Sequence, residues 1–213
     1  MVSISNLLKK IKDKIKSKLQ GTISIATEDD FDWNLYNSHY RSELNEIQKV
    51  HTLILSLKDY IFDKNFLVLH RDILPLHPNH RLLYETILQL NPPCVLEVVC
   101  GGGDHLYNLS VLSSDISLYG CDLSKDQIDY LRERNSHLRA NVKLFDITLP
   151  FSSLLPSVDV VYTQAVVMHL KTGNNHLIAL SNIFKMGKNR FCLWKTGLLT
   201  ILWLTFNSCL ITV

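Results

Sequence analysis

Apolar positions fall into three regimes along the chain. In the first twenty residues, MVSISNLLKKIKDKIKSKLQ, Ile4, Leu8, Ile11, Ile15 and Leu19 recur at intervals of three and four, with lysines elsewhere. That spacing predicts a helix with one apolar stripe, and Gly21 is placed to stop it. Residues 21–91 are mixed, and the acidic, aromatic stretch EDDFDWNLYNSHY reads as a loop or surface turn leading into a helix. From Ser42 to about Asp63, Leu44, Ile47, Val50, Ile54, Leu57 and Ile61 stand at helical intervals and predict that second helix. His77-Pro78-Asn79-His80 breaks the chain, and RLLYETILQL predicts a short helix ending before Asn91-Pro92-Pro93.

From Cys94 onward the period alternates. CVLEVV, closed by glycines, predicts a buried strand, HLYNLSVLSS a helix and ISLYGCD a second strand. Ser124 with Gln127 three residues later forms a capping box that opens the helix KDQIDYLRERN. NVKLFDI, VDVVYTQ and RFCLWK predict three more strands, with AVVMHL and NNHLIALSNIFKM helical between the last two. Such alternation predicts an α/β fold with a parallel sheet covered on both faces, and ligands beyond the carboxyl ends of its strands. The last 18 residues, TGLLTILWLTFNSCLITV, carry no charge. They are short for a membrane span and hold Thr, Asn and Ser, whereas their Ile, Val, Thr, Phe and Trp also suit a strand that patches the sheet. The chain thus divides into 1–20, a basic amphipathic helix; 21–91, a helical extension; 92–195, the sheet domain; and 196–213, an apolar tail.

Composition narrows the function classes. Apolar residues make up 46% of the chain and charged residues 20%, which excludes wholesale disorder and a fibrous repeat. A net charge of +2 argues against a nucleic-acid binder that works by blanket electrostatics. That near-neutrality is a sum: residues 1–20 hold six Lys and one Asp, for +5, which leaves −3 for the rest. The basic stripe suits an anionic membrane surface, a partner, or the chain's own domain, and peripheral membrane contact is one expectation. Five cysteines without a C-x-x-C pair speak against a disulfide scaffold and a thiolate zinc site, and predict a reducing, cytoplasmic setting without a secretory signal. His77 and His80 have a spacing seen in metal ligands, but no acidic or thiol partner accompanies them, so a loop is expected there and no metal site.

The chemistry concentrates in VLEVVCGGGDHL, residues 95–106. Glycines between a strand and a helix let a ligand approach the backbone, where free N–H groups and the helix dipole favour anions. A dinucleotide fingerprint would need glycine at position 106, which is Leu106, and no Tyr-x-x-x-Lys pair for a nicotinamide oxidoreductase follows. The run Glu97-Val-Val-Cys-Gly101-Gly102-Gly103 instead resembles the first motif of class I S-adenosylmethionine-dependent methyltransferases. Three further stretches, LYGCDLSKDQI, KLFDITLPF and VDVVYTQAVVMHL, resemble that family's later motifs in the same order, over about residues 92–194.

The resemblance implies S-adenosylmethionine as cofactor and a set of site residues. Gly101, Gly102 and Gly103 form the cradle; Glu97 lies near the methionine amino group, with a structural hydrogen bond as its alternative role. Asp122, followed by Leu123, takes the ribose hydroxyls, or simply begins a turn before the capped helix. Asp146 and Ile147 contact the adenine, though an Asp at a strand end is also a common turn former. Gln164 lies where the fourth strand passes the methyl group, and Tyr162 and His105 are further lining. His169 matches a histidine often found there, as a general base or as a helix brace. Methyl transfer depends chiefly on alignment, so no mandatory catalytic residue is expected.

Two departures stand out. Val99 occupies the motif's first glycine position, where a β-branched side chain crowds the ligand and a positive φ is costly, so it is expected to weaken cofactor binding by ~1–3 kcal/mol and, with the short C-terminus, to impair activity. The family's seven-stranded sheet ends in an antiparallel hairpin, and the uncharged tail is expected to lack it. This implies the first five strands of the fold in a truncated or frameshifted copy; Leu193-Trp194-Lys195-Thr196-Gly197 back-translates to DNA that reads Met-Glu-Asn-Trp in another frame. The function expected is methyl transfer to an unidentified acceptor, a small molecule or glycan rather than a nucleic acid. The alternative is a non-catalytic Rossmann-like binding module.

Overall fold

The computed structural model describes residues 52–150, 156–195, 198–205 and 208–212, the last stretches from residue 189 on as backbone. Residues 1–51, with the basic amphipathic helix and the start of the helix expected from Ser42, lie outside the described residues.

The rest of that expected helix is corrected. Residues 52–57 are not helical, and β1 (Tyr60–Asp63) pairs antiparallel with β2 (Phe66–Leu69), Tyr60 opposite Leu69 and Asp63 opposite Phe66. Lys64 and Asn65 connect them with φ of 46° and 72°. Two successive left-handed residues match the twist of a tight hairpin. The apolar spacing that suggested a helix therefore belongs to two short strands. The N-terminal extension is in its described part a hairpin followed by α1 (Pro78–Leu90), which begins with proline in its first turn and has His77 as its cap.

The domain that follows matches the predicted alternation: β3 (Cys94–Val98), α2 (Asp104–Leu112), β4 (Ser117–Asp122), α3 (Lys125–Arg134), β5 (Ala140–Leu144), β6 (Val158–Gln164), α4 (Asn175–Met186) and β7 (Gly187–Lys195). AVVMHL shrinks from the expected helix to a single 3₁₀ turn, Val167–His169. Sheet order is β5-β4-β3-β6-β7, all parallel. The chain leaves β3 toward β4 and returns on its other side at β6, so β3 and β6 flank a topological switch point.

The missing C-terminal hairpin is likewise corrected. β8 (Leu198–Thr205) pairs antiparallel with β7, and β9 (Ser208–Thr212) antiparallel with β8, which brings this sheet to seven strands among the described residues. The β-favouring composition of the tail accounts for this, and the order runs straight outward from β7. Among the described residues no helix is long and apolar enough to cross a membrane.

Two apolar layers clamp the sheet. Val95, Val160 and Tyr162 face Leu83, Ile87, Leu106, Leu109 and Leu131, so α1, α2 and α3 share one side, with Leu55 and Leu67 of the extension closing over them. Leu96, Val98 and Val161 face Ala179, Ile183 and Met186 of α4 on the other. The alternation of Val95 and Leu96 between the layers is the period-two pleat of a strand buried on both faces.

Candidate functional site

The carboxyl ends of β3, β4, β5 and β6 meet at one edge. Past β3, Val99 has φ 59°, Gly101 φ 51° and Gly103 φ 76°, so the chain turns through the left-handed region three times before α2 begins. Glycine is required at 103: a Cβ there would lie 2.4 Å from Leu131 Cδ1 of α3, and the φ is unfavourable for any side chain. At Gly101 a Cβ would meet only Gln127, at 3.8 Å, so there the backbone angle rather than space selects glycine. Gly102 lies beside the ring of Tyr130, 3.2 Å from where a Cβ would stand. Gln127, Tyr130 and Leu131 thus present one face of α3 to the loop, and Arg134, one turn further, pairs with Asp104 at the start of α2.

Asp122 ends β4 and is 4% exposed. Its Oδ2 accepts from the Gly101 N–H at 2.8 Å and its Oδ1 from the Ser124 N–H at 2.8 Å. It therefore braces the glycine loop and opens the α3 cap, which Ser124 completes by accepting from the Gln127 N–H at 3.3 Å. Burial raises the Asp122 carboxyl above its usual range, and the backbone N–H donors partly offset that. Each oxygen keeps a lone pair, so the turn role and the ribose role expected of it are compatible in kind.

Glu97 is the exceptional group. It is 3% exposed on a central strand, directly beside Tyr162 in the register of β3 and β6. Burial pushes its carboxyl well above the ordinary value, the Tyr162 hydroxyl works against that, and the Asp122 charge adds to it. Its Oε2 is buried with no hydrogen-bond partner. An uncompensated carboxylate oxygen costs free energy unless a donor reaches it, and a cationic ammonium is the donor that compensates most. The residues present therefore fit the methionine end of S-adenosylmethionine, with Glu97 for its amino group and the Gly101–Gly103 turn for close backbone approach. Val99 is the poor fit, holding a β-branched side chain in a left-handed conformation at the same turn.

The remaining predicted residues fall around this edge with differing roles. Leu123 is 51% exposed, beside Asp122. Asp146 Oδ1 accepts from the Thr148 N–H at 2.8 Å and its hydroxyl at 2.6 Å, so it forms the turn after β5. Ile147 is buried against α4, and its carbonyl accepts from Asn182 Nδ2 at 2.7 Å. The Phe145 N–H bonds the Asp122 carbonyl at 2.9 Å, which brings the β5 turn beside the end of β4. Gln164 closes β6, with its Oε1 buried and lacking a hydrogen-bond partner, and Ala165 after it has φ 56°. Two non-glycine residues in the left-handed region, Val99 and Ala165, thus follow two neighbouring central strands. His169 sits half-buried in the 3₁₀ turn, its imidazole lowered by burial and by Lys171, and so neutral at pH 7.

Three residues of consequence escaped the sequence reading or entered it only as lining. Tyr84 and Asn108 are fully buried, and the Tyr84 hydroxyl meets His105 Nδ1 at 2.7 Å. Asn108 Nδ2 donates to Tyr84 Oη at 2.9 Å and to the Leu53 carbonyl at 2.8 Å, while its Oδ1 accepts from the Leu55 N–H at 2.8 Å. An asparagine in the apolar stripe of HLYNLSVL was the available signal. The His77 and His80 rings lie 5.5 Å apart and those of His80 and His105 4.8 Å apart, and among the described residues no His, Cys, Asp and Glu cluster is arranged to hold a metal ion.

Residues 95–189 match a family model described as a methyltransferase domain. A tRNA N(3)-cytidine methyltransferase of Rattus norvegicus is 31% identical over 99 residues, 44% of this chain and 34% of that protein. The chain thus matches about a third of the length of that curated relative. Among solved structures, the N-methyltransferase NodS from Bradyrhizobium japonicum is 19% identical, with TM-score 0.44 over 55% of this chain and 62% of that one. The amino pentose methyltransferase CalS10 from Micromonospora echinaspora is 18% identical, with TM-score 0.45 over 55% of this chain and 49% of that one. Over residues 95–189, which hold the glycine turn between β3 and α2, the chain is thus similar to methyltransferase domains.

Proposed function

We propose that the chain transfers a methyl group from S-adenosylmethionine to an acceptor held beyond the ends of β3 and β6. The observation that carries this reading is the buried, unpaired Glu97 Oε2 beside the glycine turn. The cofactor supplies a methyl group on a sulfonium, whose departure needs little more than alignment with the acceptor. Glu97 holds the amino group, the Gly101–Gly103 backbone admits the carboxylate end at the start of α2, and Asp122 and Asp146 border the nucleoside side. Gln164 orients the acceptor, and His169, neutral at pH 7, takes a proton from it where the acceptor loses one.

A small molecule or glycan is the acceptor class that the near-neutral chain supports, its net charge being +2. A second reading, a transfer RNA, is favoured by the relative named above and by the +5 charge of residues 1–20, the kind of tract that neutralises phosphates. Incubating the full chain with methyl-tritiated S-adenosylmethionine and separate small-molecule and RNA extracts of one cell lysate tests both. Label in the small-molecule fraction supports the first acceptor, and RNase-sensitive label the second. Absence of label from every fraction, with an active methyltransferase labelling the same extracts, would sink the proposal.

A further inference from the structure

A line of buried polar groups runs from the extension to Glu97, and the reaction described so far uses only its last member. At the outer end, the Asn108 amide pairs with the backbone at Leu53 and Leu55 much as a neighbouring strand would, accepting from one N–H and donating to one carbonyl. The same Nδ2 donates to Tyr84 Oη, so the single phenolic proton is directed to His105 Nδ1, which accepts it as a neutral imidazole. The neutrality has a cause, since enclosure and the adjoining His80 push the His105 pKa down to about 3. At the inner end Tyr84 shares its apolar layer with Tyr162, which stands beside Glu97 in the register of β3 and β6, and the Glu97 charge adds to the rise that burial gives the Tyr84 hydroxyl. All of this lies within one apolar layer formed by Leu83, Ile87, Val95, Leu106 and Leu109, where weak screening makes polar groups act on one another over longer range than in water.

His105 also stands two residues past Gly103, in the first turn of the helix that the glycine turn opens. Moving the Tyr84–His105 contact therefore moves the start of α2, and with it the backbone that meets the cofactor. Asn108 sits one turn further on the same helix, bound to the extension. One phenol thus links the extension segment, the cradle helix and the Glu97–Tyr162 pair.

We propose that Tyr84 is a positioning residue of the cofactor site, through which the docking of residues Leu53–Leu55 on Asn108 is coupled to the binding of the cofactor's methionine end at Glu97. This rests on the reading of Glu97 given above. Linkage makes the effect reciprocal: a ligand at Glu97 tightens the Leu53–Leu55 pairing by the factor by which that pairing favours the ligand.

The test uses the full chain with S-adenosylhomocysteine, which retains the methionine amino group. Affinity is measured by calorimetry, and exchange of the Leu55 amide by NMR. In the unaltered chain saturating ligand slows Leu55 exchange at least tenfold. Tyr84→Phe weakens the affinity about tenfold and abolishes the response of Leu55 at saturation. His105→Leu behaves like Tyr84→Phe, whereas His105→Asn, which restores an acceptor near the place of Nδ1, recovers both properties. If Tyr84→Phe does not fold, the contrast between the two His105 variants decides. Ligand binding without a change at Leu55, or variants that bind and respond as the unaltered chain does, would overturn the proposal and leave the function standing. Absence of binding by the unaltered chain would overturn both.

Discussion

At Val99 the backbone turns through φ 59°, a conformation that crowds the Cβ of a β-branched residue and costs ~1–2 kcal/mol. The same side chain stands at the turn beneath the proposed methionine end, so Val99→Gly is expected to tighten S-adenosylhomocysteine binding about tenfold, as read by calorimetry. An unchanged affinity would show that the left-handed turn tolerates valine without cost to the ligand. Glu97 works in the opposite sense. Its carboxyl is raised well above the ordinary value by burial, so the folded state binds the proton more tightly than the unfolded chain. Stability without ligand therefore falls as pH rises from the ordinary carboxylate value through the raised one, because that is the window in which the folded protein holds the extra proton. Glu97→Gln removes this dependence, raises the neutral-pH melting temperature of the ligand-free protein and weakens the ligand. A melting series from pH 4 to pH 8 checks the sign, and a Glu97→Gln protein that melts lower at neutral pH would contradict it.

Among the elements, α3 depends on a local cap that the spacing of Ser124 and Gln127 announced and the 3.3 Å bond from the Gln127 N–H realises. Ser124→Ala should cost about 1 kcal/mol in denaturant unfolding. Gly103→Ala should cost more, about 2–4 kcal/mol, since it adds a left-handed penalty to a 2.4 Å approach to Leu131. The legible elements are those whose pattern has one interpretation. CVLEVV, ISLYGCD and VDVVYTQ are runs buried on both faces, and nothing but a central strand fits them. The misread stretch, residues 52–63, had helical spacing at Ile54, Leu57 and Ile61, yet all three are exposed, and the decisive signal was the Lys64-Asn65 turn. Periodicity describes which residues are apolar, not which become buried. The site divides the same way. Its glycines and strand-end acids are marked by type and order, but Asp122 and Asp146 also brace turns, and the Tyr84–Asn108–His105 line joins residues from two helices that only folding brings together.

For the whole molecule, the apolar tail changes meaning once the sheet is seen. The uncharged stretch that suggested a missing hairpin supplies β8 and β9, which extend the sheet from β7. Without them β7 would be an open edge with unpaired backbone groups. Ending the chain at Lys195 is therefore expected to yield protein that associates at micromolar concentration, as read by size-exclusion chromatography with light scattering, whereas a soluble monomer with an unaltered melting temperature would show the two strands to be dispensable. The central claim is that the switch point between β3 and β6 holds S-adenosylmethionine through Glu97. Calorimetric titration of the full chain and its Glu97→Gln variant with S-adenosylhomocysteine tests it most directly. The account predicts saturable one-to-one binding by the unaltered chain, weakened at least tenfold in the variant; equal affinities, or no binding by the folded, unaltered chain, would contradict it.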